Sequence, residues 1–443
     1  MLKKITRKPN HHHPRRPFRT LLLILLSIFL LLFIYLYYCN GHTAFTRQIS
    51  TPILLQTKET MLETESGYNP HISNGPYHDW QLFAADFEKM KQNLKIFVYG
   101  DAFSDKKPIM PNSSFSHIFL PYKDPFNRKI GNYFSEHMFK LSLLRSSLFT
   151  EKPEQANFFF LPFSINALRN EARVHSADAI SNFVAEYANR VSFQFPFFNA
   201  SGGADHFYVC CHSIGGGAAS KHEYLLNNAI QVTCCSSYFH RNYLPHKDVS
   251  LPQVWPRGGG GGGGGGIQQS SSLPTNPPHQ RHRLAFYAGR TQNSPVRQEL
   301  ISLWGNDTDM DIYGGNSPIP YEQGFRNSKY CLHVRGYEVN TARISDAINF
   351  GCVPVIISNH YDLPFANVLD WTKFSVTVNN RELPFLKKRL LSVTNENYLR
   401  MYRNLFNVQR HFVWHTTPKG YDSFYMTAYQ LWLRRSIHRL PYD

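Results

Sequence analysis

The segment that decides the fold runs from Tyr330 to Phe365 and reads YCLHVRGYEVNTARISDAINFGCVPVIISNHYDLPF. Its first five residues and the apolar run Cys352 to Ile357 predict two strands, the second buried on both faces as in a parallel sheet. Between them, Asn340 or Thr341 is expected to cap a helix that ends at Gly351. This order of strand, loop, helix and strand is typical of an α/β layer fold.

The start of that helix is a candidate anion site. A helix N-terminus at the carboxyl edge of a parallel sheet presents free N–H groups and the positive end of its dipole. Arg343 lies in the first turn, where the dipole alone disfavours a cation. Asp346 shares its helix face and is suited to a sugar hydroxyl or to orienting Arg343. The alternative is an ordinary amphipathic helix with a solvated Arg–Asp ion pair.

Composition divides the chain into segments of different character. The predicted segments are a basic tail (1–20), a membrane anchor (21–38), a polar stem (39–92), a first α/β domain (93–255), a Gly/Ser/Pro-rich linker (256–282) and a second α/β domain with closing helices (283–443). Predicted strands cover 94–99, 158–161, 206–210, 230–233, 284–288, 309–313, 330–334, 352–357 and 374–378, and predicted helices include 79–91, 176–188, 397–412 and 423–437.

The apolar run Leu21 to Tyr38 is long enough to span a thin bilayer. Basic side chains precede it and few follow, so the N-terminus is expected in the cytosol and the body in the lumen. A cleaved signal peptide is the competing interpretation, but the run is too long for the usual apolar region and no small-x-small site follows cleanly. The sequence therefore predicts a single-pass type II membrane protein.

The chain is basic, with 47 Lys and Arg against 31 Asp and Glu and a formal net charge of +16. Such a balance suits nucleic acid, a membrane surface or an acidic polysaccharide. No nucleic-acid recognition module and no Lys/Arg run outside the tail is evident, so a nucleic-acid partner is not expected.

In the lumen, sequons can be glycosylated and cysteines can form disulfides, so a lumenal body makes three sequons and the cysteine pairs relevant. N-glycosylation is expected at Asn112, Asn199 and Asn306. The adjacent pairs Cys210-Cys211 and Cys234-Cys235 lack the CxxC spacing of zinc sites. Either one disulfide joins the two pairs or the cysteines are free and buried.

Several further segments share a family resemblance with the one quoted first. They are KIFVYG at Lys95, GADHFYVCCHS at Gly203, YFHRNYLPHKDVSLPQ at Tyr238 and RLAFYAGR at Arg283. In this order they are similar to the exostosin family of glycosyltransferases (family 47), most closely its plant Golgi branch. The resemblance implies a GT-B fold, in which two Rossmann-like domains face a cleft.

The resemblance also implies a reaction and a place. The expected activity is inverting transfer of a sugar, from a nucleotide sugar that is expected to be UDP-linked, to a plant cell-wall polysaccharide (pectin or hemicellulose) at the Golgi membrane. Homo- or hetero-oligomers with other Golgi glycosyltransferases are candidate assemblies. The alternatives are a non-catalytic Golgi scaffold of a polysaccharide synthase complex and a basic lumenal polysaccharide-binding protein.

The resemblance places the nucleotide-sugar site in the second domain. Arg290 and Arg343 would hold the diphosphate, since a guanidinium fork binds phosphate at two points. These cations would also neutralise the departing diphosphate, so no metal or other cofactor is expected to be required. The remaining candidates for this site are Gly336, Glu338, Thr341, Asp346 and Gly351, of which the two glycines are equally well explained as turn residues.

Inverting transfer needs a base that takes the proton of the acceptor hydroxyl. The candidates are Asp205, His206 and His212, with His212 preferred because it titrates near neutral pH. Each is equally well explained as a hydrogen-bonded structural residue. Many relatives have an acid after this histidine, whereas this chain has Ser213.

Asp307 to Asp311 contains DxD, a metal-binding pattern of a different transferase architecture. Its position beside a sequon and before a short strand favours a turn over a metal site.

Overall fold

A computed structural model describes residues 75–100, 109–110, 115–121, 128–240, 242–255, 276–292 and 294–435. The predicted tail, the predicted anchor, most of the predicted stem, Asn112 and residues 256–275 of the predicted linker lie outside these ranges. Within the ranges, no helix combines the length and the apolar character that a membrane crossing needs. The anchor and the glycosylation of Asn112 therefore stay predictions.

The first sheet consists of parallel strands. They are β1 Ile96–Val98, β2 Phe149–Thr150, β3 Phe158–Phe160, β4 His206–Cys210, β5 Ile230–Thr233 and β6 Val249–Ser250. Their order across the sheet is β2-β1-β3-β4-β5-β6. Because all neighbours are parallel, their carboxyl ends meet at one edge.

The second sheet repeats this order. Its strands are β7 Arg283–Ala288, β8 Met310–Tyr313, β9 Ser328–Val334, β10 Val353–Ile357 and β11 Val376–Thr377. The sheet order is β11-β10-β9-β7-β8, again with parallel neighbours. The direction of winding reverses between β1 and β3 in the first sheet and between β7 and β9 in the second. Ligands of open α/β sheets bind at the carboxyl end of such a switch point.

Helices connect the strands and cover the sheets. The α-helices are α1 Trp80–Asn93, α2 Ser116–Phe119, α3 Phe134–Leu144, α4 Ile165–Asn170, α5 Ala177–Gln194, α6 Pro196–Ser201, α7 Ile214–Ala218, α8 Glu223–Asn227, α9 Pro295–Trp304, α10 Tyr321–Asn327, α11 Arg343–Asn349, α12 Leu386–Leu391, α13 Asn395–Gln409 and α14 Ser423–Arg434. Short 3-10 helices cover Arg128–Tyr133, Pro153–Gln155, Pro278–Gln280, Trp371–Lys373, Asn380–Phe385 and Arg410–Phe412.

Alternation along β3 shows why the sequence forms a strand buried on both sides. Phe158 and Phe160 pack in the core that continues into the second sheet, whereas Phe159 packs in a separate core beneath α5. Successive side chains of a strand point to opposite faces, so an unbroken run of phenylalanines fills both cores. The predicted doubly wound α/β architecture with two parallel sheets is confirmed.

The helix predicted after β9 begins later than expected. Asn340 and Thr341 are not its N-cap residues: α11 starts at Arg343, after Ala342. The Thr341 hydroxyl still accepts a hydrogen bond from the Arg343 N–H at 3.3 Å, as a cap would. Gly351 ends the helix with a φ of 66°, a left-handed conformation that favours glycine. Gly351 is therefore a turn glycine.

The last helix returns to the first domain. On α14, the Tyr429 hydroxyl and the Trp432 indole N–H donate to Asp86 at 3.1 and 3.0 Å. Asp86 belongs to α1, which lies almost entirely in the predicted stem but packs into the core with Phe83, Phe87 and Met90. Arg434 donates to the carbonyls of Pro245, Lys247 and Asp248, which precede β6. The C-terminal segment thereby completes the first domain.

Two polar residues join the domains beside the cleft. Gln253 of the first domain accepts from the Asn340 amide at 2.9 Å, and its carbonyl accepts from the Ser345 hydroxyl at 2.7 Å. Asp362 of the second domain accepts from the hydroxyls of Tyr238 and Tyr243. These contacts fix the orientation of one sheet relative to the other.

Two disulfides reinforce neighbouring strands. Cys211–Cys234 joins the segments that follow β4 and β5, so one bond does link the two adjacent cysteine pairs. Cys331–Cys352 joins β9 to the residue before β10 and was not anticipated from the sequence. Cys210 and Cys235 are free and buried.

The contact at Asp362 predicts a measurable loss of stability. Replacing Asp362 with alanine leaves the buried Tyr243 hydroxyl without its acceptor, so the free energy of unfolding should fall by roughly 1–3 kcal/mol. Equilibrium urea unfolding measures this change. Asp309→Ala, which removes an exposed carboxylate, is the matched control and should shift stability by no more than about 0.5 kcal/mol. Equal effects of the two changes would contradict this account of the domain junction.

Candidate active site

The switch point of the second sheet brings together the ends of β7 and β9. After β7 come Gly289 and the exposed Arg290, and after β9 come Arg335 and Gly336. The loop from Arg335 to Ala342 then leads into α11. Because β7 and β9 are paired parallel neighbours, these residues line the same edge.

The half-buried Arg343 side chain turns from α11 toward β7. Its Nε and Nη2 atoms donate to the carbonyl oxygen of Ala288 at 3.1 and 2.7 Å, and its guanidinium lies 5.3 Å from the centroid of the Tyr287 ring. A Cβ atom at Gly289 would lie 2.4 Å from Nη2. The glycine therefore lets the guanidinium cross the end of β7, where its Nη1 group has no protein acceptor among the described residues.

A second arginine, which the sequence reasoning missed, lies beside the first. Arg297 of α9 is buried and donates to the carbonyls of Val334 and Arg290 at 3.0 to 3.1 Å. Burial and the nearby Arg343 lower its pKa, opposed by Tyr287. Arg297 also lies in the first turn of a helix at the carboxyl edge, so the rule that selected Arg343 would have selected it. A Cβ at Gly336 would lie 2.7 Å from its Nη2 atom, which explains that glycine.

Tyr287 lies next to both guanidinium groups. Its hydroxyl is buried and has no hydrogen-bond partner among the described residues. Burial raises the pKa of this hydroxyl, while Arg343 and Arg297 act in the opposite direction. Within the described chain, neither arginine forms an ion pair with a carboxylate. Two adjacent cations and a buried hydroxyl donor make an anion-binding arrangement.

A buried histidine holds the loop that precedes α11. Burial lowers the pKa of His333 to about 3, so the ring is neutral. Its Nε2–H donates to the Val339 carbonyl at 2.9 Å, and its Nδ1 accepts from the Thr341 hydroxyl at 3.0 Å. The Thr341 oxygen in turn accepts from the Arg343 N–H. Thr341 thus positions the helix start, and its hydroxyl proton is already engaged.

Asp346 is not the solvated partner of Arg343 that the alternative interpretation of the helix proposed; its contact with a sugar hydroxyl stays a prediction. Its side chain is 5 % exposed, which excludes a solvated surface pair with Arg343. One carboxylate oxygen accepts from the Tyr321 hydroxyl at 3.2 Å. Asp346 is therefore a buried acceptor below the switch point.

Glu338 reaches across the cleft to the first domain. One of its carboxylate oxygens accepts from the backbone N–H of Ser213 at 3.1 Å. Burial raises the pKa of the Cys235 thiol, and the Glu338 carboxylate raises it further. The same carboxylate raises the pKa of His212, against the larger lowering by burial. The carboxylate of Glu338 thus lies beside Ser213, directly after His212.

His212 follows β4 and faces the cleft. Its ring lies 5.7 Å from that of Tyr133 and nearly parallel to it. Burial lowers its pKa, and Arg169 adds to the effect while Glu338 opposes it. Nδ1 accepts from the N–H of Ile214 at 3.1 Å, so the neutral ring carries its proton on Nε2. In this arrangement His212 offers a hydrogen-bond donor to the cleft.

Asp205 and His206 lie at the opposite end of the same strand. Asp205 accepts from the Ser201 hydroxyl and from Nδ1–H of His206, whose Nε2 contacts the Tyr99 hydroxyl at 2.6 Å. His206 is fully buried, and burial lowers its pKa. The structure brings His212 and Glu338 together but leaves Asp205 and His206 at the amino edge of the sheet.

A buried carboxylate supports the loop that carries His212. Glu136 of α3 accepts from the Cys211 N–H at 3.0 Å and from the Ser164 hydroxyl at 2.6 Å. Burial raises its pKa and lowers the pKa of the neighbouring Lys140 to about 7. The only signal for this residue in the sequence is an acid within the apolar run of α3.

The DxD acids lie before and at the start of β8, away from the switch point. Lys387 contacts the carboxylates of Asp307 and Asp309 at 2.8 and 2.7 Å. Asp307 also accepts from the Asp309 N–H at 2.9 Å, which makes the predicted turn. No cluster of three or more metal-ligating side chains occurs in the part of the chain that is described.

Of the described sequons, Asn199 and Asn306 are both exposed.

Comparison with known proteins shows to which family the chain belongs. The model of the Exostosin GT47 domain matches residues 90–393, which include both sheets. The chain belongs to the exostosin GT47 family.

Curated members of the family resemble the chain over most of its length. Probable glycosyltransferase At5g03795 of Arabidopsis thaliana is 34 % identical over 375 residues, or 82 % of this chain and 67 % of that protein. Probable glycosyltransferase At3g07620 of the same plant is 35 % identical over 84 % of this chain and 74 % of that protein. Probable beta-1,4-xylosyltransferase IRX10L, also from this plant, is 25 % identical over 71 % of this chain and 74 % of that protein. The exostosin protein described here is a glycosyltransferase.

Solved structures are more distant. A TarM structure from S. aureus in complex with fondaparinux, alpha-GlcNAc-glycerol and UDP covers 57 % of this chain and 58 % of its own, with a TM-score of 0.30 and 8 % identity. A likeness this weak supports no statement about the fold or the site.

The arginine pair gives a direct test of the anion site. Arg343→Ala should raise the Kd for UDP by about tenfold or more, because a charge-assisted hydrogen bond to phosphate contributes roughly 1.5–3 kcal/mol. Calorimetric titration with UDP measures the change. Arg389→Ala, at an exposed position of α12, is the control and should leave the Kd unchanged. Unaltered UDP affinity in a folded Arg343→Ala protein would place the site elsewhere.

Proposed function

We propose that this glycosyltransferase transfers a sugar, with inversion, from a UDP-sugar to a plant cell-wall polysaccharide of the pectin or hemicellulose class. The pair of guanidinium groups at the β7/β9 switch point carries the proposal. A diphosphate favours a position beside cations that are not already neutralised, and among the described residues neither Arg343 nor Arg297 has a carboxylate partner. Relatives named as glucuronosyltransferases and beta-1,4-xylosyltransferases support a polysaccharide acceptor.

In the proposed donor site, Arg343 and the exposed Arg290 bind the diphosphate, and Arg297 supports them. Arg297 donates hydrogen bonds to the backbone carbonyls of Arg290 and Val334 and holds them in place. Its positive charge therefore attracts the diphosphate without contacting it. As the bond between the sugar and the diphosphate breaks, these cations stabilise the charge that develops on the leaving group. This is the role that a metal ion performs in other transferases, so we propose that no metal is required.

The proposed chemistry takes place where His212 meets Glu338. The acceptor oxygen forms its bond to the anomeric carbon as the bond to UDP breaks, and its proton passes to a base. Glu338 has a carboxylate at the cleft, while His212 presents Nε2–H. We propose that Glu338 receives the proton and that His212 donates a hydrogen bond to the reacting groups.

The proposed setting is the Golgi membrane, with one type II anchor at residues 21–38 and the body in the lumen. Two disulfides suit an oxidising lumen, where such bonds persist. The exposed sequons at Asn199 and Asn306 are accessible to glycosylation. Oligomers with other Golgi glycosyltransferases stay a prediction.

The donor and the metal requirement are tested together. Full-length protein in detergent is assayed for release of UDP from a panel of UDP-sugars, with a mixture of plant cell-wall oligosaccharides as acceptors. One donor should give transfer, and EDTA should leave most of its rate intact because the arginines hold the diphosphate. Loss of activity with EDTA that manganese restores, together with an inactive Asp309→Ala protein, would instead favour a metal at the DxD segment.

The catalytic pair is tested by kinetics and pH. His212→Ala and Glu338→Gln should each lower kcat by roughly a hundredfold or more, the usual size of an acid–base effect, without changing UDP affinity. Asp205→Ala, at the other end of β4, should change kcat only a few-fold. Because burial lowers the pKa of His212, the neutral ring should persist to below about pH 6.5, and activity should fall only at lower pH. A larger loss from Asp205→Ala than from either cleft change would overturn this assignment.

A further inference from the structure

A cavity of about 660 Å³ lies in the second domain at the amino ends of β7 and β9. Its volume is within the roughly 300–1,000 Å³ typical of small-molecule sites. Its walls come from the segment that leads into β7, from Lys329 of β9 and from the first turn of α13. The proposed donor site lies at the other end of β9, which has 7 residues. At about 3.3 Å per residue the two sites are roughly 20 Å apart.

The described residues that line this cavity include bases and no acids. The basic ones are His279, Arg281, His282 and Lys329. Glu396 follows a lining residue in the chain, but its side chain is exposed and is not part of the lining. Residues 256–275, which precede this part of the chain and lie outside the described ranges, contain no Asp or Glu in their sequence. The cavity is therefore electropositive.

Arg281 is a buried cation in the cavity wall, with 1 % of its surface exposed. Its guanidinium donates to the carbonyls of Phe325 and Ser328 at 2.8 Å and of Phe350 at 2.6 Å. These carbonyls fix the guanidinium in place but carry no net charge. Within the described chain, no carboxylate forms an ion pair with Arg281.

Two further positive groups lie at the same space. Lys329 has no carboxylate partner among the described residues, and its Nζ atom lies 5.7 Å from the centroid of the Tyr398 ring. Asn395, which lines the cavity, is the first residue of the 15-residue helix α13. The N-terminus of a helix presents free N–H groups and the positive end of its dipole. Both groups favour an anion in the cavity.

Tyr398, which also lines the cavity, has a buried hydroxyl without a hydrogen-bond partner among the described residues. Burial raises the pKa of this hydroxyl to about 12, and the nearby Arg281 opposes the rise. The hydroxyl therefore keeps its proton and can donate it in a hydrogen bond. A buried donor without an acceptor costs free energy, and an anionic ligand would remove that cost.

The cavity suits a carboxylated sugar better than a phosphate group. Phosphate is typically bound by the fork of a guanidinium, whereas the guanidinium of Arg281 is occupied by carbonyls. Lys329 offers a single point charge instead, which matches one carboxylate. Pro278 and Leu399 supply apolar surface for a sugar ring, and the Asn395 amide can bind hydroxyls.

We propose that this cavity binds a carboxylated sugar unit of an acidic polysaccharide, at a site separate from the donor cleft. The carboxylate lies between Lys329 and the start of α13 and accepts a hydrogen bond from the Tyr398 hydroxyl. His279 and His282 are exposed at the mouth of the cavity, so the polymer can continue outward from the bound unit. Such a site keeps the polysaccharide on the enzyme and raises its local concentration without taking part in the transfer.

A charged ligand and its neutral counterpart test the proposal. Full-length protein is titrated calorimetrically, without donor, with an oligogalacturonide and with the same oligosaccharide in fully methyl-esterified form. The acid form should bind at least about tenfold more tightly, because only a carboxylate forms charge-assisted hydrogen bonds here. Lys329→Ala should remove this preference, and Lys329→Arg, which keeps the charge, should retain most of it.

Lys388→Ala is the matched control, since it removes an exposed lysine of α12. It should bind the oligogalacturonide as the wild type does, and all these variants should bind UDP with unchanged Kd. Equal binding of the acid and the ester, or equal losses in Lys329→Ala and Lys388→Ala, would overturn the site. Inorganic phosphate that binds as tightly as the oligogalacturonide, and loses its binding in Lys329→Ala, would replace the sugar by a phosphate ligand and also overturn the proposal.

Tyr398→Phe separates ligand binding from a structural role. Because the hydroxyl has no partner in the described protein, its removal should leave the melting temperature unchanged or raise it. The Kd for the oligogalacturonide should nevertheless rise several-fold. A lower melting temperature with unaltered Kd would show that the hydroxyl serves the fold alone. These binding results do not depend on the proposed transfer reaction, so a protein that turns over no UDP-sugar can still confirm or refute them.

Discussion

The active cleft depends on two guanidinium groups that lie side by side and that no carboxylate of the described residues neutralises. Arg343 and Arg297 are anchored to carbonyl oxygens at the ends of β7 and β9, which are the dipolar acceptors that a parallel sheet leaves unpaired at its edge. Carbonyls hold the two cations in place but do not cancel their charge. The site therefore favours an anion at the one place where strand order opens a crevice.

The two guanidinium groups can occupy these positions only because glycines lie beside them. Gly289 and Gly336 each lie so close to a guanidinium that a Cβ would collide with it. His333 performs a complementary task, since its neutral ring ties Val339 to Thr341 and Thr341 to the start of α11. The first domain has a similar device in Glu136, which holds the loop of His212 from below. In each domain, a buried titratable residue thus supports a loop that lines the cleft.

Local sequence pattern predicted the elements well because strands and helices are set by local periodicity. Residues 206–210 and 230–233 form strands as predicted. The direction of β4 also follows from the sequence, and it alone places His212 at the ligand edge and Asp205 at the other.

What sequence pattern could not supply was contact between distant segments. Glu338 and Ser213 are 125 positions apart, so nothing local indicates that they meet. The link between Cys331 and Cys352 requires knowing that β9 and β10 are neighbours. Arg297 is a different case, because it lies in the first turn of a helix as Arg343 does, and its position in the sequence therefore carried the same signal. Periodicity in the sequence shows which face of a helix or strand is buried and where the element ends. It does not show the partners of buried polar groups, which depend on the assembled fold.

The return of α14 to the first domain makes that domain discontinuous in the chain. Asp86, near the start of the folded region, finds its tyrosine and tryptophan partners only at Tyr429 and Trp432. Tyr429 is added by the ribosome 343 positions after Asp86, so the packing around Asp86 is completed long after this residue is made. By the same geometry, a chimera that exchanges first domains between relatives must carry the last helix along with them.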